Sequence, residues 1–326
     1  MQAVLASAGE LLGLEVDLPW VARLAEEAAG GQPFSSDLDA ATVRLRVERE
    51  HRMFDISGWE VLGRGVWRRG AEVVLADACS SGFALRVSTE AGLPELTARW
   101  RPSPAQRLAQ VLLPARSRLL VRQVLLQYPL LWWAGCQGRS PLHTSLLSVA
   151  GQCLLLAGPS GVGKSSLVVA EMERGAHVCS DNLVVSDGRW AWGLVEPLRV
   201  VGGTGRQMPH GRREIAVQNR LLTGRPEVIV VLRRDPAAAR PYLQPCTEER
   251  AQRVLIAGTY AAGELRRYWQ LAGLLALATG LGEPHPDVAQ ASRDLTSRLP
   301  CVELALGSAR GPHMTDLKPR LQELSC

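Results

Sequence analysis

Lysine is almost absent from this chain of 326 residues. Only Lys164 and Lys318 occur, and arginine supplies the rest of the positive charge of the Lys and Arg side chains. Long apolar runs are absent as well, since the stretch around Leu130–Trp133 is far too short to span a bilayer. The first twenty residues contain three acidic side chains and lack the basic start of a secretory signal. We therefore expect no membrane partner and no secretory signal.

Cysteine is present but does not form a recognisable pattern. The seven cysteines are odd in number and irregularly spaced, and no C-x-x-C pair occurs among them. Structural zinc sites and disulfide frameworks both need regular cysteine spacings. We expect reduced cysteines, no zinc and a cytoplasmic protein.

The charge of the chain is mild and scattered. The formal net charge is +5 and the isoelectric point is about 9.0, but the arginines do not form a basic run. A basic isoelectric point without a patch supports only weak nonspecific attraction, so we expect no nucleic-acid partner. With 46% apolar and 21% charged residues, the composition is typical of a globular protein. The length suggests roughly two domains.

The first part of the chain predicts a smaller α+β domain over residues 1–128, which would present a substrate. A helix is predicted over residues 1–30, with an apolar stripe that ends at Gly30 and Gly31. Alternation over Val43–Val47 predicts a half-exposed strand. Further short strands are predicted over residues 66–68, 71–75, 83–88 and 96–100, and a helix over Ala115–Tyr128 that Pro129 ends.

The rest of the chain, residues 129–326, predicts an α/β domain. Apolar runs at 144–149 and 153–157 predict strands, and a helix follows over 165–174. A short strand is predicted over 176–180, then a hairpin with strands at 183–185 and 190–192 around the turn Asp187-Gly188. The remaining predictions are a strand at 228–232, helical structure over 248–279 with a break near Gly258, and a strand at 301–306.

A glycine loop lies between the second apolar run and the helix that follows. Gly158–Ser165 reads Gly-Pro-Ser-Gly-Val-Gly-Lys-Ser and fits the phosphate-binding pattern G-x-x-x-x-G-K-[ST]. Its glycines let successive N–H groups point at phosphate oxygens, and a helix N-terminus adds partial positive charge. Lys164 is predicted to contact the β- and γ-phosphates, and the Ser165 hydroxyl to bind Mg²⁺. The residues predicted to hold ATP are Gly158, Ser160, Gly161, Val162, Gly163, Lys164, Ser165 and Ser166.

An acidic residue follows the loop at an informative distance. Asp181 lies 17 residues after Lys164, a gap that one short helix and one strand fill. It therefore falls at the carboxyl end of the next strand, the edge at which α/β sheets bind their ligands. A carboxylate there can hold Mg²⁺ or accept the proton of an attacking hydroxyl. An aspartate that only caps a turn is the structural alternative.

Three elements together resemble the HPr kinase/phosphorylase family. They are His143, which precedes Gly158 by 15 residues, the glycine loop itself, and Glu173–Asn182, which reads Glu-Arg-Gly-Ala-His-Val-Cys-Ser-Asp-Asn. In the family a histidine starts the strand before the loop, a helix ends in Arg-Gly, and a strand ends in Asp-Asp. The resemblance covers residues 140–190, and residues 1–128 show no likeness to the family's own N-terminal domain.

The resemblance implies a P-loop kinase core of HPr kinase type that phosphorylates serine or threonine with ATP and Mg²⁺. Asp181 would be the general base. Asn182 stands where the family has its second aspartate; its carbonyl can still bind Mg²⁺, but one negative charge is lost, so we do not expect phosphorolysis. Glu196 is the nearest candidate for a further metal ligand, and a residue at a hairpin end is the equal alternative. His143 would orient a phosphate or a substrate group, although a lone histidine at a strand start is commonly structural.

A Gly- and Arg-rich segment follows at residues 202–213. An arginine on such a segment can stabilise the migrating phosphoryl group, and Arg206, Arg212 and Arg213 are the candidates. A solvated basic loop is the alternative for each of them.

The sequence thus predicts an ATP-dependent kinase for a Ser or Thr hydroxyl of a protein or peptide. Ribosomally made precursor peptides, such as those of lasso peptides, are one substrate class of the family's divergent relatives. A small-molecule hydroxyl kinase and a nucleotide-gated binding protein with little turnover stay open as alternatives. A homo-oligomer also stays open.

Overall fold

A computed structural model describes residues 1–90, 92–202, 205–208 and 211–307, together with Met314 and Glu323. The architecture is mixed α/β with several sheets. The chain divides into two compact units: the first comprises Met1–Gly138, Gln207–His210 and Arg267–Pro286, and the second comprises Arg139–Arg206, Gly211–Arg266 and Asp287–Cys326. In the described ranges no helix is both long enough and apolar enough to cross a membrane.

The described part of the chain contains strands and helices in the following order. The strands are β1 (Gln2–Ser7), β2 (Glu10–Val16), β3 (Val43–Glu48), β4 (Glu60–Gly63), β5 (Val66–Arg69), β6 (Glu72–Leu75), β7 (Phe83–Ser88), β8 (Glu95–Trp100), β9 (Ser140–Leu142), β10 (Ser145–Val149), β11 (Gln152–Ala157), β12 (His177–Ser180), β13 (Val184–Ser186), β14 (Ala191–Gly193), β15 (Leu198–Val201), β16 (Arg206–Gln207), β17 (Arg212–Ile215), β18 (Thr223–Gly224), β19 (Val228–Arg234), β20 (Tyr242–Pro245) and β21 (Cys301–Leu306). The helices are α1 (Pro19–Ala28), α2 (Pro104–Leu112), α3 (Pro114–Arg122), α4 (Tyr128–Cys136), α5 (Lys164–Glu173), α6 (Glu248–Ala261), α7 (Arg266–Thr279) and α8 (Val288–Thr296).

The first unit is built on an eight-stranded sheet with the order β1-β2-β3-β8-β7-β6-β5-β4. The single helix predicted over residues 1–30 is wrong: β1 and β2 form an antiparallel hairpin, and only α1 is helical. Ala8 and Gly9 both adopt positive φ, which is the geometry of a tight two-residue hairpin turn. Pro19 is the first residue of α1, a position at which the backbone N–H has no hydrogen-bond partner within the helix, so its absence in proline costs nothing.

The helical segment before residue 139 is longer than the sequence predicts. Pro129 does not end it, because a π-helical turn at Gln123–Gln127 is followed directly by α4, in which Pro129 occupies the first turn. Residue 128, where we expect the domain boundary, therefore lies inside a helical segment that continues to Cys136.

The second unit contains a six-stranded sheet with the order β12-β10-β11-β19-β21-β20. Strands β11, β19 and β21 are parallel, whereas β10 is antiparallel to both of its neighbours, β11 and β12. Two antiparallel steps make β12 run in the same direction as β11. The carboxyl ends of β11 and β12 therefore lie on one edge of the sheet, as the sequence predicts for the glycine loop and Asp181.

Most of the predicted elements of the second unit are confirmed to within one or two residues. Strands β10, β11, β12 and β21 and helix α5 lie where the apolar runs indicate, and β13 and β14 form the predicted hairpin. The prediction of a helix break near Gly258 is wrong. Helix α6 continues through Gly258 and ends at Ala261, and the chain turns only at residues 262–265, because an isolated glycine weakens a helix without ending it.

Gly193 offers a test of how β12 is held in place. A Cβ atom at Gly193 would lie 2.3 Å from the carbonyl oxygen of Cys179, in the strand that leads to Asp181. We expect Gly193→Ala to lower the free energy of unfolding by about 2 kcal/mol or more, because β14 must move away from β12. Gly63→Ala is the matched control, since nothing lies within 4 Å of a Cβ there. Equal urea-unfolding curves for the two variants would contradict this packing.

Candidate functional site

The glycine loop joins β11 to α5 at the carboxyl edge of the six-stranded sheet. Gly161 and Gly163 have φ angles of 80° and 121°, which side chains with a Cβ rarely adopt. Gly158 packs closely, since a Cβ there would lie 3.0 Å from the carbonyl oxygen of Leu232 on β19. The loop thus needs glycine at three positions for backbone reasons, and Lys164 is the first residue of the helix that follows.

Lys164 is buried, with only 6% of its surface exposed. Its Nζ donates hydrogen bonds to the carbonyl oxygens of Gly158, at 2.7 Å, and Pro159, at 3.3 Å. Burial lowers the pKa of Lys164 to about 8, although the negative charges of Asp181 and Glu264 act in the opposite direction. A polyanion in the cavity would favour the charged ammonium further.

Asp181 follows the last residue of β12 and is 5% exposed. Burial raises the pKa of Asp181 to about 6, while a hydrogen bond from the Ser165 side chain acts to lower it. The Ser145 hydroxyl donates to the backbone carbonyl of Asp181 and lies 3.4 Å from its Oδ1. Asp181 and Ser165 of the glycine loop line the same cavity.

His143 and Asn182 form a second polar pair beside Asp181. The Nε2 atom of His143 lies 3.0 Å from Oδ1 of Asn182, and the His143 backbone N–H donates to the Thr259 hydroxyl of α6 at 3.0 Å. Burial lowers the pKa of His143, and the nearby Lys164 charge acts in the same direction. A neutral imidazole that holds the Asn182 amide in place is the state that this environment favours.

Arg199 on β15 is a buried cation that sequence reasoning missed. Its guanidinium forms ion pairs with Glu196 and with Glu264, the latter at 2.9 Å. Burial raises the pKa of Glu264, but the Arg199 and His143 charges and hydrogen bonds to the carboxylate together outweigh it, and the net direction is downward. Glu196, predicted as a candidate metal ligand, is 3% exposed and contacts Arg199. Its negative charge also contributes to the raised pKa of Asp181.

These elements surround one open cavity in the second unit. The residues that line it are His143, Ser160, Gly161, Gly163, Lys164, Ser165, Ser166, Asp181, Asn182, Arg199, Val200, Val201, Arg212 and Arg234. The structure thus brings together most of the residues that the sequence predicts. Gly158, Val162 and Glu196 are outside this lining set.

The arginines of the cavity differ from the predicted group. Of Arg206, Arg212 and Arg213, only Arg212 lines the cavity, and Arg213 donates to the carbonyl oxygen of Gly205. Arg234, at the end of β19, also lines the cavity, and its Nη2 would lie 3.9 Å from a Cβ at Gly163. No local sequence motif marks Arg199 or Arg234 as site residues. For Arg234, the only available sequence signal is its position at the carboxyl end of a strand that runs parallel to β11.

The side-chain oxygen atoms near the glycine loop could supply some, but not all, of the ligands of a hard cation such as Mg²⁺. The described residues contain no cluster of three or more His, Cys, Asp or Glu side chains that could hold a metal ion by themselves. Mg²⁺ commonly keeps several waters and binds through one or two protein oxygens together with substrate phosphates. The Ser165 hydroxyl and the Asp181 carboxylate, which line the same cavity, fit such a limited donor set.

Comparisons with known proteins add little to this geometry. No family model matches the chain, and no curated protein matches it. Among solved structures it is similar to the Hpr(Ser) kinase/phosphatase from Coxiella burnetii, with 14% sequence identity and a TM-score of 0.24, over 33% of this chain and 72% of that chain. A TM-score this low carries no argument, so the family assignment stays a prediction, as do the roles of the site residues.

The burial of Asp181 predicts a pH-dependent change in stability. Because the folded state raises the pKa of Asp181 from 3.8 to about 6, the folded chain binds this proton more tightly than the unfolded chain. Ionised Asp181 therefore destabilises the fold as pH rises from about 4 to about 6. In metal-free buffer, we expect Asp181→Asn to stabilise the chain by on the order of 1 kcal/mol more at pH 7.5 than at pH 5.

Urea unfolding of the wild type and the variant at both pH values measures this difference. Asp39→Asn, at an exposed position, controls for a general loss of negative charge. A stabilisation by Asp181→Asn that is the same at both pH values would show that the carboxylate is not desolvated in the folded chain.

Proposed function

We propose that the chain is an ATP-dependent kinase that transfers the γ-phosphoryl group to a Ser or Thr hydroxyl of a protein or peptide. The observation that carries the proposal is the shared cavity of Lys164 and Asp181, an ammonium on a glycine loop and a buried carboxylate that follows β12. Phosphoryl transfer needs positive charge at the migrating group and a proton acceptor at the incoming hydroxyl. The two groups meet these needs from one cavity.

In this proposal the glycine loop and the start of α5 bind the triphosphate. Backbone N–H groups of the loop and the N-terminus of the helix offer donors for phosphate oxygens. Among the described residues, Nζ of Lys164 donates to two loop carbonyls, and we propose that its third N–H contacts the β- and γ-phosphates. Lys164 would hold positive charge beside the migrating group throughout the transfer.

Asp181 would accept the proton of the substrate hydroxyl. In the chain without metal its pKa is about 6, so it is ionised near neutral pH and can accept a proton. As the proton moves to the carboxylate, the hydroxyl oxygen forms a bond to the γ-phosphorus. The bond between that phosphorus and the bridging oxygen breaks, and its electron pair leaves with ADP.

Ser165 and Asp181 are the residues proposed to hold Mg²⁺, which when bound neutralises charge on the phosphates. The side-chain carbonyl oxygen of Asn182 is hydrogen-bonded to His143 in the free chain. If Asn182 also binds Mg²⁺, as proposed, the same oxygen must contact the cation as well. Arg212 and Arg234 line the same cavity and are the arginines proposed to stabilise the charge of the migrating group.

The first test addresses the nucleotide. Lys164→Ala should weaken the affinity for ATP·Mg²⁺ strongly, because it removes the buried cation of the loop. Lys164→Arg should fall well short of the wild type too, since a planar guanidinium does not fit the space in which Nζ meets two loop carbonyls. Titration of a fluorescent ATP analogue measures both affinities. Wild-type affinity in both variants would rule out the loop as the phosphate site.

The second test addresses the transfer step. Asp181→Asn should lower the rate of phosphoryl transfer by roughly 10²–10⁴-fold, as expected for loss of a general base. The affinity for ATP should change far less. Mass spectrometry of candidate acceptors, namely Ser- or Thr-containing peptides and small hydroxyl compounds, supplies the transfer readout. Full transfer activity in Asp181→Asn would contradict the assigned role, and tight ATP binding without any acceptor would favour a nucleotide-gated binding protein.

A further inference from the structure

Helix α2 of the first unit presents an apolar ridge to solvent. None of its residues is buried. Leu108, Val111 and Leu112 follow each other at helical spacing and are 58%, 77% and 66% exposed, and Leu113, immediately after the helix, is 49% exposed. Single exposed apolar residues are ordinary, whereas a contiguous ridge of four marks a binding surface.

The helix does not depend on this ridge for its order. Ser103 and Gln106 form a reciprocal capping box, and Pro104 occupies the first turn. The Gln106 side chain also donates to Oδ2 of Asp77 at 2.7 Å. Because caps and one side-chain hydrogen bond hold α2 in place, its apolar side chains are left available to a partner.

Arginines without a carboxylate partner lie around the ridge. No Asp or Glu occurs between Glu95 and Glu171 in the sequence. Arg107, Arg116 and Arg267 are exposed, and no hydrogen bond or ion pair in the described part of the chain involves their guanidinium groups. Asp77, which touches α2, is already engaged by Gln106 and by the backbone N–H of Gly82. The carboxylate of Glu27 likewise pairs with Arg118 of α3. A partner with carboxylate side chains could therefore pair with the exposed guanidinium groups of Arg107, Arg116 and Arg267.

A hollow lies beside the ridge, and Arg116 and Arg267 contribute to its wall. Its other walls come from α2, α3 and the segment Ser80–Ser81, including Gln106, Ala109 and Leu113. A hollow of this kind accepts a protruding side chain, whereas a planar lipid surface would leave it empty. Together with the arginines, this shape favours a polypeptide with carboxylate side chains over a membrane.

We propose that this α2–α3 surface, defined by Leu108, Val111, Leu112, Arg116 and Arg267, binds an acidic amphipathic peptide segment. Apolar side chains of the peptide pack on the ridge, and one of its Glu or Asp side chains enters the hollow to pair with Arg116 or Arg267. The proposal concerns binding by the first unit alone. This peptide binding requires neither nucleotide nor phosphoryl transfer. The peptide-binding proposal can therefore fail while the proposed kinase function holds, and the kinase proposal can fail while the peptide still binds.

The experiment measures binding of fluorescein-labelled helical peptides to the full chain by fluorescence anisotropy. One peptide carries Leu on one face and Glu on the other, a second has Lys in place of Glu, and a third has Ser in place of Leu. We expect the wild type to bind only the Glu/Leu peptide with measurable affinity. Leu108→Ser combined with Leu112→Ser should weaken that binding at least tenfold, about the effect of losing two buried leucine contacts.

Charge reversal supplies a gain of binding that a folding defect cannot produce. Arg116→Glu combined with Arg267→Glu should lose the Glu/Leu peptide and gain the Lys/Leu peptide. Val61→Ser and Arg64→Glu are the matched controls, since both positions are exposed in the same unit away from α2, and they should leave binding unchanged. Circular dichroism of each variant checks that its helices are intact.

Three results would overturn the proposal. They are no binding of the Glu/Leu peptide, binding that the α2 and arginine variants leave unchanged, and equal binding of the Glu/Leu and Lys/Leu peptides by the wild type. Binding of anionic phosphatidylglycerol vesicles that depends on Leu108 and Leu112, without peptide binding, would likewise reassign the surface to a membrane.

Discussion

The candidate site depends on placing an ammonium and a carboxylate in one buried cavity. Lys164 and Asp181 are each at most 6% exposed, and burial shifts the pKa of each group toward its neutral form. An isolated buried charge is costly, so each group is tolerable mainly because of the polar partners that surround it. Lys164 donates hydrogen bonds to loop carbonyls, and the Ser145 hydroxyl contacts both the backbone carbonyl and the side chain of Asp181.

The sheet provides this arrangement through its strand order. Because β10 is antiparallel to both β11 and β12, the two strands that carry the glycine loop and Asp181 end on the same edge. Arg199 stabilises the wall of the cavity by joining Glu196 to Glu264, just after α6. The buried negative charges near Asp181 are thereby compensated without neutralising Asp181 itself, whose pKa stays raised.

Local patterns predicted the centre of the site well. The glycine loop, α5 and β12 form one continuous segment, so their spacing alone places Asp181 near Lys164. The hairpin of β1 and β2 was mispredicted because its buried leucines, including Leu14, also continue as a helical stripe into α1. The turn at Ala8 and Gly9, both with positive φ, makes this segment a hairpin and not a helix. Alanine is not a typical turn residue, so the sequence at Ala8 does not predict that turn.

The remaining site residues could not be predicted, because long-range pairing places them. Arg199 reaches the cavity through β15 and its two glutamates, and Arg234 through the parallel pairing of β19 with β11. No motif joins either arginine to the loop. Glu196 could be singled out from the sequence, but its contact with Arg199 depends on the fold.

A crystal structure with Mg²⁺ and a non-hydrolysable ATP analogue tests the central claim most directly. The account predicts the terminal phosphate within hydrogen-bond reach of Lys164 Nζ, roughly 3 Å, with the Asp181 carboxylate on its open side where a hydroxyl would enter. A nucleotide bound elsewhere, or bound in the loop with Asp181 turned away from the terminal phosphate, would contradict it.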